Sequence, residues 1–348
     1  MGIRLPSHLP WVLDLLELEW PNIDEGEFEA AAIGHRWIAA LTDEAAADAH
    51  GGAQTVAEAN EGRSVEAFAS YWCRGAVYRI DQLTETLSVA ESAQYAMADH
   101  VTAVKSAVIW ELEGLLDEIY RATSPVDRHG AMFSQERLRL MPAVQWTREN
   151  VQSRLGQLED LLASEAVRLR TAWHSGGSGL SRPRLATTWQ YNVLAFEASS
   201  YDYGARRIAH ASDSMDLTGH KFGAARGRSA AQLRQWPPAI WAAGTLDDIE
   251  TDFADLIRKC AIELQITSDS LLACRTTLLE AECRNIELAY RAQAAAFWGA
   301  REARNQGTEA VSEQATQLSV LLNGQPGPQT WSWVSEDPFT GFQQGLPE

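Results

Sequence analysis

Tyr71-Trp72-Cys73-Arg74-Gly75 opens onto Ala76-Val77-Tyr78-Arg79-Ile80, and beyond that corner neither Gly nor Pro occurs until Gly114. Within this stretch Ile80, Leu83, Leu87, Ala90, Gln94, Ala98, Val101, Lys105, Val108, Leu112, Leu115 and Ile119 step by three and four. That spacing puts them on one face of a helix packed along its length against others. Ten of the twelve are apolar, so the face is a buried seam rather than a solvated one. Two successive steps of four, through Gln94 and Ala98, form a stutter that unwinds a supercoil locally without ending the helix. With a rise of about 1.5 Å per residue, the predicted rod is about 65 Å long, well beyond an ordinary globular-domain helix. The fold class read from it is all-α: an elongated helical bundle of long antiparallel helical hairpins, with an extended C-terminal tail.

On the N-terminal side, residues 3–20 are rich in Leu and Trp and read as a short apolar helix that must dock on the bundle. Trp20-Pro21-Asn22-Ile23-Asp24-Glu25-Gly26-Glu27-Phe28 then signals a helix start. Asp24 is placed to cap, Glu27 to complete a capping box, and Ile23 and Phe28 to staple the chain on either side. Phe28, Ala31, Ile38, Leu41 and Ala45 face inward, with His35 on the same side as a structural histidine, and the helix is predicted to stop in a loop at Gly51-Gly52. A further helix from about Val56 carries Phe68, Tyr71 and Trp72 to the corner at Gly75.

On the C-terminal side the pattern lapses between Ala122 and Pro142, where Pro125, Gly130 and Pro142 interrupt it. Residues 1–122 are therefore assigned to one helical-hairpin domain, 123–142 to a linker, and 143–322 to a second helical domain. In the second domain an amphipathic helix ends at Trp173-His174-Ser175-Gly176, repeating the Trp-x-x-Gly spacing of Trp72 and Gly75. A helix over Leu185–Ala211 and a Gly-, Arg- and Ser-rich loop over Asp213–Ser229 follow. Residues 245–298 again lack Gly and Pro up to Trp298, and Ile249, Phe253, Leu256, Cys260, Leu264, Thr267, Leu271, Cys274, Leu278 and Ala281 repeat the three-four stepping. A second long helix is expected there, with a weak point at Thr267-Ser268-Asp269-Ser270, whose side chains compete for backbone hydrogen bonds. Helix is expected to resume toward Leu322. Residues 323–348, with Trp331, Trp333, Phe339 and Phe342 among Pro and Gly, read as a disordered tail.

Composition narrows the function classes. The 348 residues are 45% hydrophobic and 22% charged, which suits a chain that buries a core. No apolar run reaches membrane-span length, and Asp14, Glu17 and Glu19 fall where a secretory signal needs an uncharged stretch. Four cysteines without Cys-x-x-Cys spacing suit neither a disulfide scaffold nor a zinc site. The net charge is −18, yet Arg168–Arg234 holds ten Lys/Arg against four acidic residues, a balance of +6 that leaves −24 elsewhere. Generic binding to nucleic acid or anionic lipid is not expected of such a chain.

Two clusters carry candidate chemistry. Asp247-Asp248-Ile249-Glu250-Thr251-Asp252 is an acidic run that reads as a helix first turn stabilised by the dipole. His210, Asp213, Asp216 and His220 are metal-ligand types, read here as part of a solvated loop. With Arg206, Arg207, Lys221, Arg226 and Arg228 they form a basic patch, and an alternative reading makes segment 182–228 the phosphate-binding or active site of a helical effector or toxin through Arg206, Arg207, His210 and His220. No phosphate loop, nucleophile elbow or dinucleotide fingerprint occurs, and neither a metal nor a cofactor is expected.

Leu5-Pro6, Trp11, Trp20-Pro21-x-x-Asp24-Glu25, Phe68-Ala69-x-Tyr71-Trp72, and Tyr95-Ala96 followed by Val101, Lys105 and Val108 occur in that order. Over about residues 1–120 the chain resembles the N-terminal helical domain of actinobacterial polymorphic toxins exported by type VII (ESX) secretion, a domain related to the small Trp-x-Gly proteins. The resemblance implies a non-catalytic, secretion-associated substrate or adaptor that packs its helices against a helical partner, such as a small Trp-x-Gly protein or a secretion chaperone, with self-association as a further mode. Tyr95-Ala96-Met97-Ala98-Asp99 matches the Tyr-x-x-x-Asp/Glu export signal of that system, and Trp72 and Gly75 stand at its corner. The implied location is cytoplasmic before export, then secreted or at the cell surface by a Sec-independent route.

Overall fold

A computed structural model describes residues 2–60, 63–74, 76–122, 134–175 and 197–306. Among them there is no strand. The α-helices are α1 (Pro10–Leu15), α2 (Glu25–Ala59), α3 (Arg63–Arg74), α4 (Ala76–Ala122), α5 (Ser134–Ser175), α6 (Ala198–Ala225), α7 (Arg228–Leu233) and α8 (Ile240–Gln306), with a 3₁₀ turn at Pro237–Ala239. The fold is all-α, as the periodicity predicts. Two compact units divide it: unit 1 comprises 1–46, 78–182 and 212–262, and unit 2 comprises 47–77, 183–211 and 263–348. These lines differ from the sequential partition at 123–142, because α2, α4, α6 and α8 each contribute residues to both units.

All twelve seam positions of α4 are buried, the polar Gln94 and Lys105 included. They form the spine of unit 1, together with Phe28 and Ile38 of α2, Val151, Leu158 and Leu162 of α5, Met215 and Phe222 of α6, and Ile249, Phe253 and Ile257 of α8. The start of α2 follows its sequence signal in part. Asp24 Oδ1 accepts from the Gly26 N–H at 3.0 Å, and Ile23 and Phe28 are both buried. The Asp24 N–H, which a capping box would give to Glu27, donates instead to Gln232 Oε1 at 3.1 Å.

Several expected breaks are absent. Helix α2 runs through Gly51-Gly52, because there it crosses α6 inside unit 2 at backbone contact. A Cβ on Gly204 would lie 2.7 Å from the Gly52 carbonyl oxygen, and one on Gly52 would lie 2.8 Å from that of Gly204. The glycines permit a close crossing rather than a turn. The end of α2 is at buried Asn60, whose Nδ2 donates to the Val56 carbonyl and to Ser200 Oγ while its Oδ1 accepts from the Glu197 N–H. Helix α5 is already formed at Ser134, the first residue described there, and contains Pro142, which is exposed; it is described as far as Ser175.

The loop expected over 213–229 is largely helix. Ala211, Met215, Thr218 and Phe222 are buried at steps of four, three and four, a seam that holds α6 to Ala225 despite Gly219 and Gly223. Helix α8 passes unbroken through Thr267–Ser270. Thr267 and Ser270 hydroxyls donate to the carbonyls four residues back, and Ser268 Oγ donates to Ala205 O of α6 at 2.9 Å. Its buried face follows the expected stepping except that Ile257 replaces Leu256, which is half-buried, and that Leu278 is half-buried too. Of residues 3–20 only Pro10–Leu15 are helical, and Glu17 adopts φ 57 just beyond. The expected helix over Leu185–Ala211 is seen from Ala198, and Gly75, residues 185–196 and the 323–348 tail lie outside the described residues.

Candidate functional site

The periodicity of α4 places Tyr95 and Asp99 one turn apart in mid-helix. Asp99 is exposed; Tyr95 is half-buried, with the Arg36 guanidinium 5.9 Å from its ring centroid. Arg36 is itself held by Glu91 at 2.5 Å, which raises its pKa. Trp72 lies in unit 2 and is wholly buried against Phe68, the ring centroids 6.1 Å apart, with its indole N–H directed at His50 Nδ1 at 3.4 Å. Its ring is therefore part of a core.

Of the four basic-patch residues, the fold brings Arg206, Arg207 and His210 together. With Asp48 and Tyr203 they line an open depression of about 400 Å³ in unit 2. Asp48 lies between two of them: Arg207 Nη2 is 2.6 Å from Oδ1 and His210 Nδ1 is 3.5 Å from Oδ2. The hydrogen bond to Asp48 raises the Arg207 pKa, and the guanidinium also stands 5.9 Å from the Tyr203 ring centroid. His220, ten residues further along α6 and in unit 1, is exposed and faces Asp216 at 3.5 Å. His210, Asp213, Asp216 and His220 are thus exposed residues of a helix rather than of a loop, and no group of three or more His, Cys, Asp or Glu among the described residues is placed to hold a metal ion.

The acidic run 247–252 is not a first turn, since α8 starts seven residues earlier. Its members have separate partners. Asp247 pairs with Arg234 at 2.6 Å, Asp252 Oδ2 accepts the Trp173 indole N–H at 3.1 Å, and buried Glu250 accepts the N–H of Gly227, whose positive φ of 82 starts α7. Burial pushes the Glu250 carboxyl up to about 7, against the lowering effect of the Gly227 N–H.

In the sequence Lys105 is legible as a seam position and as part of the resemblance motif, not as a hub. The structure makes it a hub: the 2% exposed ammonium donates to Glu25 Oε2 at 3.0 Å and to the carbonyls of Ile3 and Ile23, 5.7 Å from the Trp20 ring centroid. The other Glu25 oxygen accepts the Ile3 N–H. Burial pushes the Glu25 carboxyl up, but the Ile3 and Glu25 N–H groups and Lys105 outweigh it and leave the pKa lowered. A lysine within an apolar seam beside a Glu at a helix start was the available signal. His35 is buried as expected, its ring 5.9 Å from Phe222 and 6.3 Å from Phe253, and desolvation lowers its pKa to about 4.

No family model, curated protein or solved structure matches the chain. Its surface chemistry must carry the functional argument. Trp110 is 68% and Trp146 60% exposed on α4 and α5. His8, just ahead of α1, stands 4.0 Å from Glu113, which shares one face of α4 with exposed Trp110 and Asp117, and Trp11 and Leu15 of α1 are exposed as well. Arg148 of α5 reaches Glu17, just beyond α1, at 2.9 Å. No helix among the described residues is long and apolar enough to cross a membrane.

Proposed function

We propose that the chain is a non-catalytic, type VII secretion-associated substrate or adaptor that works by packing its helices against a helical protein partner. The observation that carries the interaction part is the exposure of Trp11 on α1 and Trp110 on α4 in unit 1, the latter on the same helix face as Glu113 and Asp117. Exposed tryptophans on rigid helices are anchors of the kind that dominate helix-to-helix interfaces. The export part rests on the resemblance over residues 1–120 and on Tyr95 and Asp99, of which Asp99 is solvent-accessible. Trp72 contributes to this reading as a core residue that holds unit 2 together. Expression of the tagged chain in an actinobacterium with an intact or a disrupted type VII system tests it. Wild type should reach the culture supernatant or cell surface only with the intact system, Asp99→Ala should stay in the cytoplasm, and Trp110→Ala should lose the co-purified partner. Equal appearance outside the cell in both strains rejects the export reading.

A second reading, a helical effector with an anion-binding site, is favoured by one observation: Arg206, Arg207 and His210 line a single depression. It expects that expression of the full chain harms cells and that Arg206→Ala with His210→Ala relieves the harm. Harmless expression rejects it.

A further inference from the structure

From Glu282 to Arg291 every residue of α8 is exposed, so the helix runs for ten residues with none of its side chains buried. A helical stretch that buries nothing lacks the tertiary packing from which helices in proteins draw most of their stability, and gains by being covered. One face of it is patterned for a specific cover. Leu279, Cys283, Ile286 and Tyr290 step by four, three and four, the spacing of a coiled-coil seam. Ile286 is 50% and Tyr290 69% exposed, Cys283 is a free, exposed thiol, and a depression of about 440 Å³ runs beside Leu279 and Cys283. Immediately after each seam residue comes a charge, Glu280, Arg284, Glu287 and Arg291, in the order acidic, basic, acidic, basic.

That order is complementary to its own reverse. We propose that this face of α8 is an antiparallel two-fold contact with a second copy of the chain. Set antiparallel, Leu279 meets Tyr290 and Cys283 meets Ile286 of the second copy, and the flanking charges fall Glu280 against Arg291 and Arg284 against Glu287. Both seam pairs fall in one register, and each flanking charge has an opposite charge of the second copy two residues off that register, within reach of a long side chain, as a two-fold interface allows, since each contact occurs twice. In the single chain the four charges pair only along the helix, Arg284 with Glu280 at 3.9 Å and Arg291 with Glu287, and all four side chains are at least 60% exposed, so they are free to exchange partners. The stretch 279–291 holds three acidic and two basic residues in a chain of net charge −18, and so escapes the like-charge repulsion that opposes self-association elsewhere. The contact is short, at the small end of specific interfaces, and the dimer is accordingly weak and concentration-dependent. It stands independently of the export reading.

Sedimentation equilibrium of the full chain over a hundredfold concentration range tests it, with three further proteins. Wild type should pass from monomer to dimer. Arg284→Glu/Arg291→Glu, which makes all four flanking charges acidic, should stay monomeric, as should Glu280→Arg/Glu287→Arg, and an equimolar mixture of these two should form heterodimers. Ile286→Cys should give a disulfide-linked dimer through Cys283 on mild oxidation. Because every altered side chain is exposed, the folded content by circular dichroism should be unchanged. A wild type that stays monomeric, or a dimer that survives the all-acidic change, overturns the proposal and leaves the face to residues 307–348 or to another protein.

Discussion

At the scale of single residues, the most consequential side chain is one whose type looks wrong for its position. Lys105 occupies a seam slot that apolar residues fill on either side, and its burial is tolerated because Glu25 and two carbonyls meet its ammonium. Removing one partner of a buried pair leaves the other charge uncompensated, so Lys105→Met should cost about 3–5 kcal/mol, whereas Lys105→Met with Glu25→Leu should recover much of that. Urea melts of the two variants beside wild type measure it; a double variant as unstable as the single one would show that the hub holds the Ile3 segment rather than balancing charge. Trp72 makes the opposite case, a large apolar side chain at the helical corner that is wholly enclosed. At 0% exposure, Trp72→Ala should cost about 3–5 kcal/mol and lower the melting midpoint by many degrees. An unchanged midpoint contradicts the packing role.

At the scale of elements, legibility tracked the seam. The twelve positions of α4 could be read because apolar spacing over eleven helical turns leaves little competition, and all twelve are buried. Where local residue preference was used to end a helix, the prediction failed at Gly51-Gly52, at Pro142, over 213–229 and at Thr267–Ser270; at the glycine pair, over 213–229 and at Thr267–Ser270, packing against neighbours outweighed it. The stepping through Ala211, Met215, Thr218 and Phe222 was present in the sequence, obscured by Gly219, Gly223 and the basic residues around them. The candidate site was less legible. That Arg206, Arg207 and His210 share a depression follows from helical spacing, but that Asp48 enters between two of them depends on a crossing with α2 that no local pattern announces. The glycines at that crossing give a contrast. Gly204→Ala puts a methyl against the Gly52 carbonyl oxygen and Val56 and should cost about 1–3 kcal/mol. Gly114→Ala and Gly156→Ala, with nothing within 4 Å of the added carbon, should each gain about 0.5–1 kcal/mol by relieving the helix of glycine. Thermal melts separate the two classes, and equal effects at all three sites would remove the close crossing as the reason for Gly204.

At the scale of the whole molecule, stability against pH combines two buried groups of unit 1 that act in opposite directions. His35 has its pKa lowered from 6.5 to about 4 by desolvation, so the unfolded chain binds more protons in that interval. Stability from this source is full above pH 6.5 and is lost as the pH falls toward 4. Glu250 has its pKa raised from 4.5 to about 7 by burial, so here the folded chain binds more protons, and stability falls as the pH rises from 4.5 to 7. Each displacement corresponds to about 3 kcal/mol across its window. Between pH 4.5 and 6.5 the two slopes nearly cancel, and wild type should show little net dependence from them. Removing either group exposes the other. His35→Gln should leave a protein whose stability declines as pH rises through that window, and Glu250→Gln one whose stability increases. The slope of unfolding free energy at pH 4.5, 5.5 and 6.5 is the measurement, because it is insensitive to any fixed cost of the substitution. Slopes of the same sign in the two variants would mean that at least one of these groups titrates normally and lies nearer water than its place in the core allows.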